Sequence, residues 1–212
     1  MNISRDNFLL YAVTDRGIIK GRNLVQAVEE AVLGGAGLIQ IREKGLNFEE
    51  FSAEAVLIKK ITDKYGVPLI INDNTEVCRR IGADGVHIGQ KDTDIITARK
   101  ILGKNAIIGV SAKTVEQAVF AEKNGANYLG VGAAFTTGSK ADASTIDHSV
   151  YSKIKEAVNI PVVAIGGITK ENMAELKGTG IDGVAVISAV FGQEDIRSAA
   201  EEIKKLSEMY FR

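Results

Sequence analysis

The sequence predicts an α/β fold, a single (β/α)8 barrel that runs over residues 1–212 as one catalytic domain. Three observations lead there. Short runs rich in Val and Ile recur eight times: Phe8–Val13, Leu38–Ile41, Leu69–Ile71, Gly85–Ile88, Ala106–Val110, Tyr128–Val131, Val162–Ile165 and Val184–Ile187. Runs of this length suit strands buried on both faces, as in a parallel sheet. Between them lie longer segments with helical periodicity. One apolar stripe is Leu24, Ala27, Val28, Ala31 and Val32. Others are Phe51, Ala55, Ile58 and Ile61, and Ile196, Ala199, Ala200 and Ile203. Eight alternations is the barrel count, whereas an open doubly wound sheet usually has fewer strands and a glycine-rich first turn. Third, a glycine motif stands before every second run: Gly35-Ala36-Gly37, Gly82-Ala83-Asp84-Gly85, Gly125-Ala126-Asn127-Tyr128 and Gly180-Ile181-Asp182-Gly183. A helix C-cap explains each glycine, but the every-second-unit rhythm is that of a barrel built from doubled units. The two prolines, Pro68 and Pro161, stand at strand starts, where a missing N–H is tolerated.

The runs carry chemistry at their C-terminal ends, taken in chain order. The second continues as Gln40-Ile41-Arg42-Glu43-Lys44. Strand alternation puts Gln40, Arg42 and Lys44 on one side. A buried salt-bridge network is one reading, although such networks rarely add net stability. The other is two cations climbing to the barrel mouth to meet an anion, Arg42 as a planar fork and Lys44 as a point charge. The third run leads into Asn72-Asp73, and the fourth into Gly89-Gln90-Lys91-Asp92. Either Asp alone would more often cap the next helix. As a pair on adjacent rims beside cations, Asp73 and Asp92 suit magnesium, which typically takes one or two protein carboxylates and completes its shell with phosphate oxygens and water. His87 reads as a packed core group. The fifth run ends at Ser111.

The sixth run leads into Phe135-Thr136-Thr137-Gly138-Ser139-Lys140-Ala141-Asp142, a long, small, polar loop of the kind that covers substrates in barrels. The seventh ends in Gly166-Gly167-Ile168 and the eighth in Val186-Ile187-Ser188-Ala189. The loops after strands seven and eight are the recurring phosphate site of barrels, built from backbone N–H groups and here the Ser188 hydroxyl. The rim thus divides into a diphosphate–magnesium end and a monophosphate end. Two phosphorylated substrates held together imply a transfer reaction.

Composition excludes other classes. The chain is 45% hydrophobic and 25% charged, with a net charge of −1, and no Lys/Arg block stands out. Nucleic acid and membrane surfaces are therefore not expected partners. The lone Cys78 has no companion for an internal disulfide or a thiolate zinc site. The opening residues lack the apolar run of a secretory signal, and no stretch approaches ~18 unbroken apolar residues. A cytoplasmic protein is expected; whether it works as a homo-oligomer is left open.

The ordered set of motifs resembles the thiamine-phosphate synthase family over nearly the whole chain. The resemblance rests on Leu10-Tyr11-Ala12-Val13-Thr14-Asp15, Gln40-Ile41-Arg42-Glu43-Lys44, Ile71-Asn72-Asp73, Gly85-Val86-His87-Ile88-Gly89-Gln90, Gly109-Val110-Ser111, Gly130-Val131-Gly132, Gly166-Gly167-Ile168 and Val186-Ile187-Ser188. It implies joining a hydroxymethylpyrimidine diphosphate to a thiazole phosphate, with one magnesium ion per site. By resemblance, Gln40, Ile41, Arg42, Glu43, Lys44, Asn72, Ser111 and Lys140 would hold the pyrimidine diphosphate. Thr137, Gly138, Ser139, Gly167, Ile187 and Ser188 would hold the thiazole phosphate, and Asp73 and Asp92 the metal. The family's loop commonly reads Pro-Thr-x-Thr-Lys. Here it is Thr136-Thr137-Gly138-Ser139-Lys140, which keeps the hydroxyl and the charge but replaces the stiffening proline. A thiazole tautomerase-like isomerase would not need the diphosphate and magnesium set. A non-catalytic sensor of thiazole or thiamine phosphate could lose its magnesium end. Retention of Arg42, Lys44, Asp73, Asp92 and Lys140 argues against both.

Overall fold

Eight parallel strands close on themselves in sequence order, the first pairing with both the second and the eighth. The computed structural model describes residues 3–19, 21–137 and 145–212. The strands are β1 (Tyr11–Val13), β2 (Leu38–Ile41), β3 (Leu69–Asn72), β4 (Gly85–Ile88), β5 (Ile107–Ala112), β6 (Tyr128–Gly132), β7 (Val162–Ile165) and β8 (Gly183–Val186). The second, fourth and seventh expected runs coincide with strands at both ends. The first is shortened because Phe8 closes a 3-10 turn, Arg5–Phe8, that plugs the barrel floor with its buried ring. The last shifts by one residue toward Gly183.

Helices α1 (Arg16–Ile19), α2 (Leu24–Leu33), α3 (Phe48–Tyr65), α4 (Thr75–Ile81), α5 (Ile95–Leu102), α6 (Val115–Lys123), α7 (Ser149–Ala157), α8 (Ser188–Phe191) and α9 (Ile196–Phe211) form the outer layer. Between β7 and β8 the only helical element is a 3-10 turn, Met173–Leu176. The expected stripes face inward: Leu24, Ala27, Val28, Ala31 and Val32 of α2 are all buried. Among the described residues no helix is long and apolar enough to cross a membrane.

Strand alternation divides the core in two. Outward residues such as Ile39, Ile41, Ile71, Val86 and Val131 pack under the helices. Inward residues, Tyr11, Val13, Leu38, Ile70, Ile107, Tyr128, Val163 and Ala185, fill the barrel above Phe8. This is the layered interior of such barrels rather than a pore.

The glycine motif has a structural role beyond turning the chain. Its first glycines, Gly35, Gly82, Gly125 and Gly180, all have positive φ. In three of the four motifs the third residue then reaches back to the start of the preceding strand. Asp84, Asn127 and Asp182 accept from the N–H of Leu69, Ile108 and Val162 at 2.9, 2.8 and 2.8 Å. A cation from an earlier helix holds each acceptor. Lys59 lies 3.4 Å from Asp84, Arg99 donates to Asn127 at 2.9 Å, and Lys155 donates to Asp182 at 2.7 Å. The first motif has Gly37 at this place because the Asn7 backbone occupies the space a side chain would need. The repeat is thus a set of clamps at the N-terminal face, opposite the rim that carries the expected site residues.

Candidate active site

The C-terminal rim gathers most of the expected residues, with one correction to their alignment. β2 stops at Ile41, so Arg42 and Lys44 do not continue in line with Gln40 as strand alternation suggested. Gln40 is 3% exposed and points into the barrel, where its Nε2 donates to the Tyr11 hydroxyl at 2.5 Å. The Ile41 side chain packs in the outer core, leaving its backbone for any ligand contact. Arg42 turns toward the segment that follows β1. Its N–H donates to Thr14 Oγ1 at 3.1 Å and its Nη1 to Asp15 Oδ2 at 2.6 Å. Arg16 donates to Glu43 at 2.9 Å and to both oxygens of Glu54 at 2.7 Å. The second oxygen of Glu43, Oε1, is buried with no hydrogen-bond partner among the described residues. Burial pushes the Glu43 carboxyl up, and the Arg16 guanidinium only partly offsets it. Asp15, Arg16, Arg42, Glu43 and the exposed Lys44 border a cleft of about 440 Å³.

Asn72 ends β3 level with His87 on β4, on the inward face. Asp73 follows with a φ of 62°, a left-handed conformation that Asp tolerates better than most residues, and its N–H donates to the His87 carbonyl at 2.8 Å. The capping role that competes with metal binding goes elsewhere for both aspartates. Asn74 caps α4 by accepting from Val77, and Asp94 caps α5 by accepting from Ile96 and Thr97. Asp92 instead accepts from the Gly89 N–H at 2.7 Å, which holds it against the end of β4. Two carboxylates on adjacent loops, neither a helix cap, are a donor set of the hard-oxygen type that fits magnesium. Among the described residues no group of three or more His, Cys, Asp or Glu forms an all-protein cage.

The expected monophosphate end is built on close backbone contact. Gly167 has a φ of 66°, and a Cβ there would lie 2.4 Å from the Thr136 carbonyl oxygen. These glycines therefore serve first to seat the loop after β6 against β7. The Phe135 N–H donates to Gly166 at 3.0 Å and the Ile146 N–H to Ala133 at 2.9 Å. His148 Nε2 meets the Ala134 carbonyl at 3.0 Å and fixes the loop's return. Ile187 precedes α8 and packs against the barrel interior. Ser188 is exposed and opens α8, whose first N–H groups have no intrahelical acceptor. Thr137 is described and half-buried. Gly138, Ser139 and Lys140 lie outside the described residues.

Beneath the rim, three polar side chains that the sequence presents as core residues form hydrogen bonds with one another. His87 Nε2 stands 2.9 Å from Ser111 Oγ and its Nδ1 3.0 Å from the Tyr128 hydroxyl, which is 2.7 Å from that of Tyr11. The available signal was glycine. A Cβ on Gly109 would lie 2.1 Å from Tyr128 Cζ, and one on Gly130 would lie 3.0 Å from His87 Cε1. β5 and β6 thus give up side chains to make room for the tyrosine and the histidine.

The sequence model described as thiamine monophosphate synthase matches residues 10–190, which takes in β1 to β8. The chain belongs to this family. It is 53% identical over 194 residues to the thiamine-phosphate synthase of Clostridium tetani, covering 92% of this chain and 93% of that protein. It is 48% identical over 203 residues to the thiamine-phosphate synthase of Ruminiclostridium cellulolyticum, covering 96% and 97%. Among solved structures, thiamine phosphate pyrophosphorylase from Pyrococcus furiosus matches with a TM-score of 0.90 and 42% identity, covering 98% of this chain and 99% of that one.

Proposed function

We propose that the protein is a transferase that condenses 4-amino-5-hydroxymethyl-2-methylpyrimidine diphosphate with a thiazole phosphate, giving thiamine phosphate and pyrophosphate. The observation that carries the reading is the rim itself: Arg42, held by Asp15, shares it with two carboxylates relieved of capping duty, in a chain that matches thiamine-phosphate synthases almost end to end. The partners are two phosphorylated small molecules, and the working compartment is the cytoplasm, where a free thiol such as Cys78 stays reduced.

The residues divide by substrate. Gln40, Ile41, Arg42, Glu43, Lys44, Asn72, Ser111 and Lys140 hold the pyrimidine diphosphate. Thr137, Gly138, Ser139, Gly167, Ile187 and Ser188 hold the thiazole phosphate. Asp73 and Asp92 would hold magnesium, whose charge would offset that of the diphosphate oxygens. The bond between the pyrimidine's methylene carbon and the bridging oxygen breaks, and its electron pair leaves with pyrophosphate. The aminopyrimidine ring feeds electrons to the methylene cation, and the thiazole nitrogen lone pair then forms the new C–N bond. No side-chain nucleophile is needed. Arg42 and Lys140 stabilise negative charge as it builds on the leaving group, an effect worth several kcal/mol in comparable sites. Asp15 holds the Arg42 fork at the rim before substrate arrives.

The test is an assay with both substrates, with and without a chelator. Pyrophosphate release is expected only when magnesium and the pyrimidine diphosphate are both present. Turnover indifferent to chelation, or product formed from the thiazole phosphate alone, refutes the reading.

A further inference from the structure

The barrel interior contains a continuous hydrogen-bond chain from β2 to β5. Gln40 Nε2 donates to the Tyr11 hydroxyl at 2.5 Å, and the Tyr11 and Tyr128 hydroxyls are 2.7 Å apart. Tyr128 stands 3.0 Å from His87 Nδ1, and His87 Nε2 stands 2.9 Å from Ser111 Oγ. Tyr11 is 1% and Tyr128 0% exposed. Burial pushes both phenols well above the ordinary tyrosine range, so both keep their protons. A buried hydroxyl must give its one proton to a neighbour, because leaving it unpaired costs roughly 1–3 kcal/mol.

The direction of such a chain is set from one end. An amide nitrogen only donates, so the Tyr11 oxygen accepts from Gln40 and passes its own proton to Tyr128. Tyr128 passes its proton to His87 Nδ1, which must therefore offer a lone pair. The imidazole proton then sits on Nε2 and goes to Ser111 Oγ, and the Ser111 proton turns away from His87. We propose that His87 is a positioning residue held as the neutral Nε2–H tautomer by Gln40 acting through Tyr11 and Tyr128, and that this makes the Ser111 hydroxyl a hydrogen-bond donor toward the substrate. The group that Ser111 meets is then a lone-pair acceptor such as a ring nitrogen. A site built to make that bond discriminates against analogues that lack the acceptor. This last consequence rests on the reading that Ser111 faces the pyrimidine; the tautomer does not.

The chain has two histidines, so the tautomer is directly readable by two-bond proton–nitrogen correlation on protein labelled with 15N at histidine. His148→Gln assigns the His87 signals. The expected result is a protonated Nε2 and a lone pair on Nδ1; a protonated Nδ1 in the wild type overturns the proposal. Tyr11→Phe cuts the chain between Gln40 and Tyr128. It is expected to give a tautomer mixture and to raise KM for the pyrimidine diphosphate about tenfold, as for one lost hydrogen bond, with KM for the thiazole phosphate unchanged within about twofold. Tyr128→Phe cuts the chain one step later and must give the same mixture. An unchanged tautomer in both variants, or equal KM changes for both substrates, overturns the relay. If the wild type catalyses no condensation, the synthase reading fails, and the NMR result alone then decides the relay.

Discussion

Replacing Asp182 by alanine removes the best-formed clamp at the barrel floor. Its Oδ2 accepts from the buried Val162 N–H at 2.8 Å and from Lys155 at 2.7 Å. Stranding a buried N–H costs roughly 1–3 kcal/mol. Lys155 is 16% exposed in its side chain and can partly rehydrate, which adds about 1 kcal/mol. Arg5, the third partner, is 68% exposed and contributes little. The total is about 3 kcal/mol, or a fall in Tm of roughly 6–12 °C for a chain of this size. The repeat supplies its own control. Asn127 does the same job beside Arg99, so Asp182→Asn keeps an acceptor for Val162 and should lose only about 1 kcal/mol. Thermal melts of both variants test the ordering, and turnover per folded molecule should be unchanged because the clamp lies at the face opposite the site. A cost for Asp182→Ala no larger than that of an exposed ion pair, or equal costs for the two variants, would refute the clamp.

Gly109→Ala places a methyl 2.1 Å from the Tyr128 ring and should cost roughly 1–3 kcal/mol in urea unfolding together with much of the activity; a neutral variant would mean the interior has slack. Asp92→Ala and Asp94→Ala should separate two roles that lie two residues apart. The first is expected to abolish the magnesium response while thiazole phosphate binding survives. The second should cost about 1 kcal/mol of stability, as for a lost cap, with turnover intact. Calorimetric titration and melts distinguish them, and the reverse pattern would exchange the assignments. Burial raises the Glu43 carboxyl above its ordinary value of 4.5, so the folded state holds its proton longer than the unfolded chain does. Stability should therefore fall as pH rises from about 4.5, and Glu43→Gln should lack that fall; parallel Tm–pH curves would contradict the assignment.

The barrel was legible because parallel strands buried on both faces must be apolar throughout, so each appears as a compact Val/Ile run. The glycine motif was legible as punctuation. Its clamps were not, because the cation for each acceptor comes from an earlier helix and nothing in Lys59, Arg99 or Lys155 marks them locally. The carboxylates of Asp73 and Asp92 could be paired from strand order, but their freedom from capping depended on Asn74 and Asp94 taking the cap geometry. The alignment of Gln40, Arg42 and Lys44 failed because alternation holds only while the strand continues, and β2 ends at Ile41. Tyr11 and Tyr128 went unnoticed because a tyrosine within a strand is counted as apolar bulk until its hydroxyl's partner is known.

The sequence by itself determined the alternation of elements and the end of the barrel that bears polar residues. These follow from local patterns: which residues are apolar, and what comes next along the chain. Only the tertiary structure decided which polar groups touch. Closing the sheet brings Tyr11 and Tyr128 together across 117 residues of chain, and the pairing of β4 with β5 brings His87 to Ser111 across 24. A hydrogen bond requires both partners at about 3 Å, and no periodicity encodes that distance between strands that meet only when the barrel closes.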